Sequence, residues 1–283
     1  MSTNNPLSSY FRSPKLYVTL PTQARFYAEN VVEMPENGEL PIFSMTAKDE
    51  LIMKNPDALL NGEAVAEVIK SCVPAVKDPT KLVNNDVEKL LIAVQAATNN
   101  NEIHIVTQCP ECEHEDEFDI DAQALLETSQ TILESEYIES INGLEFALRP
   151  YSYANTVKSG LVAFRATRSM QALQDITDEL DQLKAFTRNY ESISKLSFEL
   201  MLDSIQGVRG ANSDGEEFVV TDKKNIGEFL SQAEGTTVKK LDKKLSEINS
   251  IGVNKTTNIT CSECSHAYTK ELEFDPVNFS IPS

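Results

Sequence analysis

The chain has 283 residues with 25 basic and 44 acidic side chains, a net charge of −19. At this length most of the unfolded surface can be buried without crosslinks, so stability does not demand metal or disulfides throughout. The charge repels phosphate backbones and anionic lipid, which argues against non-specific nucleic-acid binding and for a neutral or basic partner.

The first 45 residues alternate short extended segments with turns: "KLYVTL" reads as a strand, Pro21 punctuates it, and "GELPIFSM" follows the turn signal Asn37-Gly38. Thr46, three residues ahead of Asp49, opens a helix with a loose capping-box pattern. Asn61 precedes "GEAVAEVIKSCV", whose Val65, Val68, Ile69 and Cys72 share one helical face, so Cys72 reads as core. A third helix is expected at 84–98, with Val87, Leu90, Leu91 and Val94 inward. The period then changes to two, and 102–121 reads as a hairpin with "CPECEH" at its tip and Phe118 and Ile120 on one face.

From Ala122 to about Ile251 the pattern is mostly helical, interrupted near "INGLEFALRPYSY" by a strand and turn. That junction echoes "LPIFSMTAK": each is a strand followed by a hydroxyl residue, Ser152 or Thr46, placed to cap the next helix. Leu173, Ile176, Leu180, Leu183, Thr187 and Tyr190 keep a three-four spacing that suits a packed face or a coiled-coil seam, on a long helix or a helical hairpin. "GVRGANSDGEE" reads as a loop by its glycines, "FVVT" as a short strand, and a helix can restart at Asp222. The last helix places Val238, Leu241, Leu245 and Ile248 inward and Lys239, Lys240, Lys243 and Lys244 outward. Those lysines read as a solvated face, or else as a docking patch for an acidic surface. A second hairpin closes the chain around "CSECSH".

No apolar run reaches the roughly 18 residues of a membrane span, and the N-terminus lacks the apolar core of a signal peptide. In a reducing cytosol, four cysteines in two CxxC pairs point to metal ligands or redox groups rather than disulfides. A two-residue gap brings both sulfurs of one turn to the same side, half a tetrahedron. Cys109 and Cys112 with Cys261 and Cys264 supply a whole four-thiolate zinc site of the ribbon kind, although 148 residues separate the halves. A redox dithiol fits less well, since such pairs sit at a helix N-terminus and here strands flank both turns. His114 and His266, two residues past each second cysteine, are candidates for replacing a ligand or for outer hydrogen bonds to sulfur; His104 reads as a sheet-surface residue.

The expected architecture is α+β: an N-terminal strand-and-helix region (1–101), a split zinc ribbon (102–122 with 253–278) and an inserted, mainly helical region (123–252). A structural zinc contributes on the order of 10 kcal/mol in small finger peptides. Here it would clasp the two ends of the insertion, which suits a scaffold.

The order of several motifs resembles the baseplate hub protein family of T-even-like contractile-tailed bacteriophages. They are "LPTQARFY" at 20–27, "SMTAKDE" at 44–50, "VIKSCV" at 68–73, "CPEC" at 109–112, "LRPYSY" at 148–153, "NIGEFL" at 225–230 and "CSECSH" at 261–266. The family turns usually carry glycine after the second cysteine, where this chain has Glu113 and Ser265. The resemblance implies a virion or virion-assembly component without enzymatic activity. It would act in the host bacterial cytoplasm during assembly, or in the tail baseplate, with other hub or tail proteins as partners and neither nucleic acid nor membrane.

The residues themselves offer no Gly-rich phosphate loop, no GxSxG and no HExxH, so an enzyme is not expected. The alternative function is an intracellular zinc-ribbon adaptor for nucleic acid. The acidic residues Glu111, Glu113, Glu115, Asp116 and Glu117 around the first turn oppose it. The sequence also allows an oligomer.

Overall fold

The structure, a computed structural model, describes residues 7, 11–129, 134, 136–173 and 179–272. In chain order the elements are β1 (Leu16–Val18), β2 (Leu40–Ile42), α1 (Ala47–Met53), α2 (Pro56–Leu60), α3 (Glu63–Cys72), α4 (Asn84–Thr98), β3 (Glu102–Gln108), β4 (Glu115–Asp121) and α5 (Ala122–Glu127). They continue with β5 (Tyr137–Ile141), β6 (Leu144–Leu148), α6 (Tyr153–Leu173), α7 (Glu179–Ser204), β7 (Ile205–Ala211), β8 (Glu217–Val220), α8 (Lys223–Gln232), α9 (Gly235–Asn249), β9 (Thr256–Thr260) and β10 (Ala267–Glu271). The mixture of helices and small antiparallel sheets is α+β, as the periodicities indicate. No helix among the described residues is long and apolar enough to cross a membrane.

The N-terminal elements pack around one core. Thr46 caps α1 by accepting from the Asp49 amide, and Asp49 returns the bond to the Thr46 backbone, the reciprocal arrangement its spacing predicts. Leu40, Ile42, Val65, Val68, Ile69, Cys72, Leu90 and Val94 lie in a single buried cluster, so Cys72 is core as expected. Arg12 fastens the incoming chain here, donating to the carbonyls of Ser44 (2.5 Å) and Ser71 (2.6 Å).

Helix α4 is buried on nearly every side. One flank joins the N-terminal core, and Ile92 and Ala96 on another pack with Ile103, Ala122, Leu125, Val253 and Leu272. At the start of α4, Asp86 is fully buried and accepts from the Thr22 amide (3.1 Å), the Thr22 hydroxyl (2.5 Å) and the Tyr27 hydroxyl (2.7 Å). Burial drives its carboxyl up to about 6 even though these donors oppose the rise.

The stretch between the two hairpins is mainly helical, with more strand than its sequence pattern indicated. It contains a four-stranded antiparallel sheet in the order β5-β6-β7-β8, one face of which is covered by α8, α9 and the end of α7 through Phe146, Leu148, Ile205, Ile226, Leu230, Leu241 and Leu245. Residues 207–211, read as loop, form part of β7. Gly210 is there because a side chain would collide with Leu144 and Phe218, at 2.7 and 2.9 Å from an added Cβ.

The echo between the two strand-to-helix junctions is real at the level of caps. Ser152 accepts from the Asn155 amide and donates from its own amide to the Asn155 side chain, as Thr46 and Asp49 do. The heptad-like segment is two helices, α6 and α7, packed against one another, with Asn155 near the start of α6 donating to Asp203 near the end of α7. Ile176 lies outside the described residues, as do residues 273–278 of the expected ribbon. Asp222 caps α8, and Lys243 and Lys244 lie against Glu247 on the outer face of α9.

Candidate metal centre

The period-two segments form two hairpins of the same plan. Strands β3 and β4 pair from Glu102↔Asp121 to Gln108↔Glu115, and β9 and β10 pair from Thr256↔Glu271 to Thr260↔Ala267. Each is closed by six residues, 109–114 and 261–266. In each loop the first cysteine donates its amide to the histidine carbonyl, Cys109 to His114 at 2.8 Å and Cys261 to His266 at 2.9 Å. The residue after the second cysteine returns a bond to the first, Glu113 to Cys109 at 3.0 Å and Ser265 to Cys261 at 3.1 Å. Glu113 and Ser265 take left-handed φ values of 61° and 59°. The chain thus adopts at both places the backbone that a glycine would accommodate without strain.

The roots of both hairpins rest on α4. Strand β3 follows it directly, while the Asn85 side chain donates to the carbonyl of Asn249 at 3.2 Å and to that of Ile251. The Lys255 ammonium pairs with Glu88 at 3.2 Å. Leu272 donates its amide to Lys255 at 2.7 Å and is buried beside Ile92 and Ile103. Two segments far apart in sequence are thereby held side by side.

Their tips meet sulfur to sulfur. Cys109 Sγ lies 3.7 Å from Cys264 Sγ, and Cys112 Sγ lies 3.6 Å from Cys261 Sγ; all four are within 4.8 Å of one another. Cys109 and Cys261 are buried and Cys112 and Cys264 are exposed, so the cluster opens to solvent along one edge. The four sulfurs are a donor set that could hold a metal ion. A tetrahedral ion with metal–sulfur bonds of about 2.3 Å needs sulfurs about 3.8 Å apart, close to both crossed distances.

Main-chain N–H groups converge on this cluster. Burial raises the Cys109 thiol, but the amides of Cys112 and Glu111 and the neighbouring Cys264 outweigh it and bring the thiol down to about 7. The His114 amide favours the Cys112 thiolate, yet the other sulfurs and burial push that thiol up to about 12. Cys261 receives the amides of Cys264 and Glu263 and is still raised. One thiolate forms readily, and further negative charge beside it calls for a cation.

The histidine rings stay outside the sulfur cluster. His114 Nε2 is 3.5 Å from Asp116, His266 stacks on Tyr268 with centroids 6.2 Å apart, and His104 lies on the surface 3.0 Å from Asp119. What His114 and His266 supply at the turns is backbone: both give a carbonyl to the first cysteine's amide, and His114 also turns its amide toward Cys112. The residue that sequence reasoning passed over is Asp116. It is buried, and its carboxylate crosses between hairpins to accept from the Ser262 amide at 3.1 Å and from the Ser262 hydroxyl. Those two donors hold its carboxyl below the ordinary range. The signal was present: Asp116 shares the strand phase of Phe118 and Ile120, which makes it an inward carboxylate.

No curated protein and no solved structure matches this chain. A family model described as "T4 bacteriophage base plate protein" matches residues 28–279, most of the length and both cysteine turns. The chain belongs to the T4 bacteriophage base plate protein family.

Proposed function

We propose that this protein is a non-catalytic structural or assembly component of the central hub of a phage tail baseplate, stabilised by one zinc ion on Cys109, Cys112, Cys261 and Cys264. The observation that carries the reading is the convergence of four sulfurs from two hairpins within a chain of the baseplate family. Zinc fits the donor chemistry: four thiolates in a closed tetrahedron leave no position for substrate, which is the pattern of a structural rather than a catalytic site. The two hairpins then form a split zinc ribbon whose outer shell includes Asp116, which holds the second turn by its Ser262 amide.

The partners are other hub or tail proteins, met in the host cytoplasm during assembly. The net charge of −19 disfavours the nucleic-acid reading. Metal analysis of protein purified without added metal tests the site: one zinc per chain is expected, and a Cys112→Ser, Cys264→Ser double variant should lose it. A stoichiometric metal other than zinc, or none, rejects the zinc clasp. Co-purification from assembling tails tests the role separately, and retardation of DNA at low salt would favour the adaptor instead.

A further inference from the structure

Helix α7 carries an apolar stripe that nothing among the described residues covers. Leu183, Phe186, Tyr190 and Ile193 are 61%, 54%, 67% and 45% exposed, and they follow a three-four-three spacing that aligns them on one face. The less exposed positions of α7, Ala185, Asn189 and Leu196, lie on a different side of the helix, next to the side where Glu199 and Asp203 meet Lys158 and Asn155 of α6, so the stripe lies on a flank of the hairpin. Phe164 on α6 is also exposed, at 42%. Thr187 and Ser194 border the stripe without charge; Lys184, Arg188, Glu191 and Lys195 fall on the other side of the helix.

We propose that this stripe is the face through which two copies of the chain pair, antiparallel, as a four-helix arrangement of two α6–α7 hairpins. Charge selects the occupant. Residues 153–204 hold 6 basic and 7 acidic side chains, whereas the remainder holds 19 and 37. A basic partner is drawn to the acidic remainder, while a second acidic copy can approach only where the field is weak. The stripe is also self-complementary. A two-fold axis level with Arg188 sets Leu183 against the second copy's Ile193 and Phe186 against the second copy's Tyr190, the layering of an antiparallel seam. In this register Leu196, where α7 enters its own core, is level with Leu180 of the other copy. That offset of 16 residues separates the two acidic bodies by about 24 Å along the helix, beyond the roughly 8–10 Å screening length at physiological salt. Parallel pairing would place the bodies side by side.

Sedimentation equilibrium of the full, metal-loaded chain reads the outcome. A species near twice 31.4 kDa is expected, weakened at least tenfold by Leu183→Glu with Tyr190→Glu while helix content and metal content stay unchanged. Both side chains are exposed in the single copy, so folding should survive the change. For the register, a mixture of Phe186→Cys and Tyr190→Cys chains should crosslink under mild oxidation faster than Phe186→Cys alone. A monomer at every concentration overturns the proposal, as does a dimer that the glutamates leave intact, which would place the contact elsewhere. A monomer whose stripe gains hydrogen-exchange protection only when other tail proteins are added would assign the face to one of them instead.

Discussion

Replacing Glu113 and Ser265 by glycine should stabilise the protein, because each occupies a backbone position that suits glycine better. Both hold left-handed backbone angles, 61° and 59°, that cost an L-residue about 1–2 kcal/mol. Both side chains are exposed. Glycine removes the steric cost but loosens the unfolded chain, a penalty of about 0.4–1 kcal/mol. The expected gain is therefore about 0.5–1 kcal/mol per site. The two sites sit on facing turns, so the double variant should gain about 1–2 kcal/mol with some coupling. If turn formation and metal binding are linked, the same energy appears as affinity, about five- to thirtyfold for the double variant at tenfold per 1.4 kcal/mol. Urea unfolding at fixed free zinc measures the first quantity, and competition with a chromophoric chelator the second. Valine at either position should act in the opposite direction, since a β-branched residue is least at ease there. Glycine variants less stable than the parent, or valine variants equal to it, would refute the argument that these two turns are strained.

Three further outcomes follow from named contacts. Asp116→Ala removes the buried carboxylate that accepts from the Ser262 amide and hydroxyl and should cost about 1.5–3 kcal/mol in urea, the range for hydrogen bonds to a charged group, with chelator competition showing about 10–100-fold weaker metal binding. Gly62→Ala should cost about 2–4 kcal/mol in the same unfolding experiment. Gly62 has φ +78°, and an added Cβ would stand 2.4 Å from Val157 and 3.1 Å from the Tyr153 hydroxyl. Asp86 sets a pH dependence. Its folded-state pKa of about 6 lies above the ordinary 3.8, so the folded form holds the proton more tightly and the stabilisation is present at low pH and lost as pH rises through about 6. At 1.36 kcal/mol per unit, the loss between those values is at most about 3 kcal/mol. The stability of the parent relative to Asp86→Asn should accordingly fall between about pH 4 and about pH 6 in urea titrations, and a flat difference would contradict the burial argument.

Much of this molecule was legible because its local signals agree with its tertiary packing. The alternation in 102–121, the spacing of each thiol pair, the Thr46–Asp49 cap and the inward face of 84–98 all appear as read. The failures have specific causes. Glycine is a loop signal by frequency, yet Gly210 serves strand packing against Leu144 and Phe218, so β7 was hidden. Asp116 stood among so many surface carboxylates that its inward phase was overlooked. Of the stripe on α7, Leu183 and Tyr190 stood in the three-four pattern, but Phe186 did not, and two and a half heptads do not say which neighbour they face. The structure answers part of that: α6 meets α7 at Glu199 and Asp203, on a different side, and Tyr190 and Leu183 are exposed.

The sulfur cluster also has a schedule. Cys261 follows Cys112 by 149 residues, so at 5–20 residues per second a ribosome delivers the second turn about 7–30 s after the first. The N-terminal core, built almost wholly from residues before position 98, can collapse during that interval, while Cys109 and Cys112 wait as an open pair of thiols. Under the proposed zinc clasp, metal capture by all four sulfurs would mark a polypeptide that has been translated through its second turn. A stalled or shortened product would carry a folded front end and never lock.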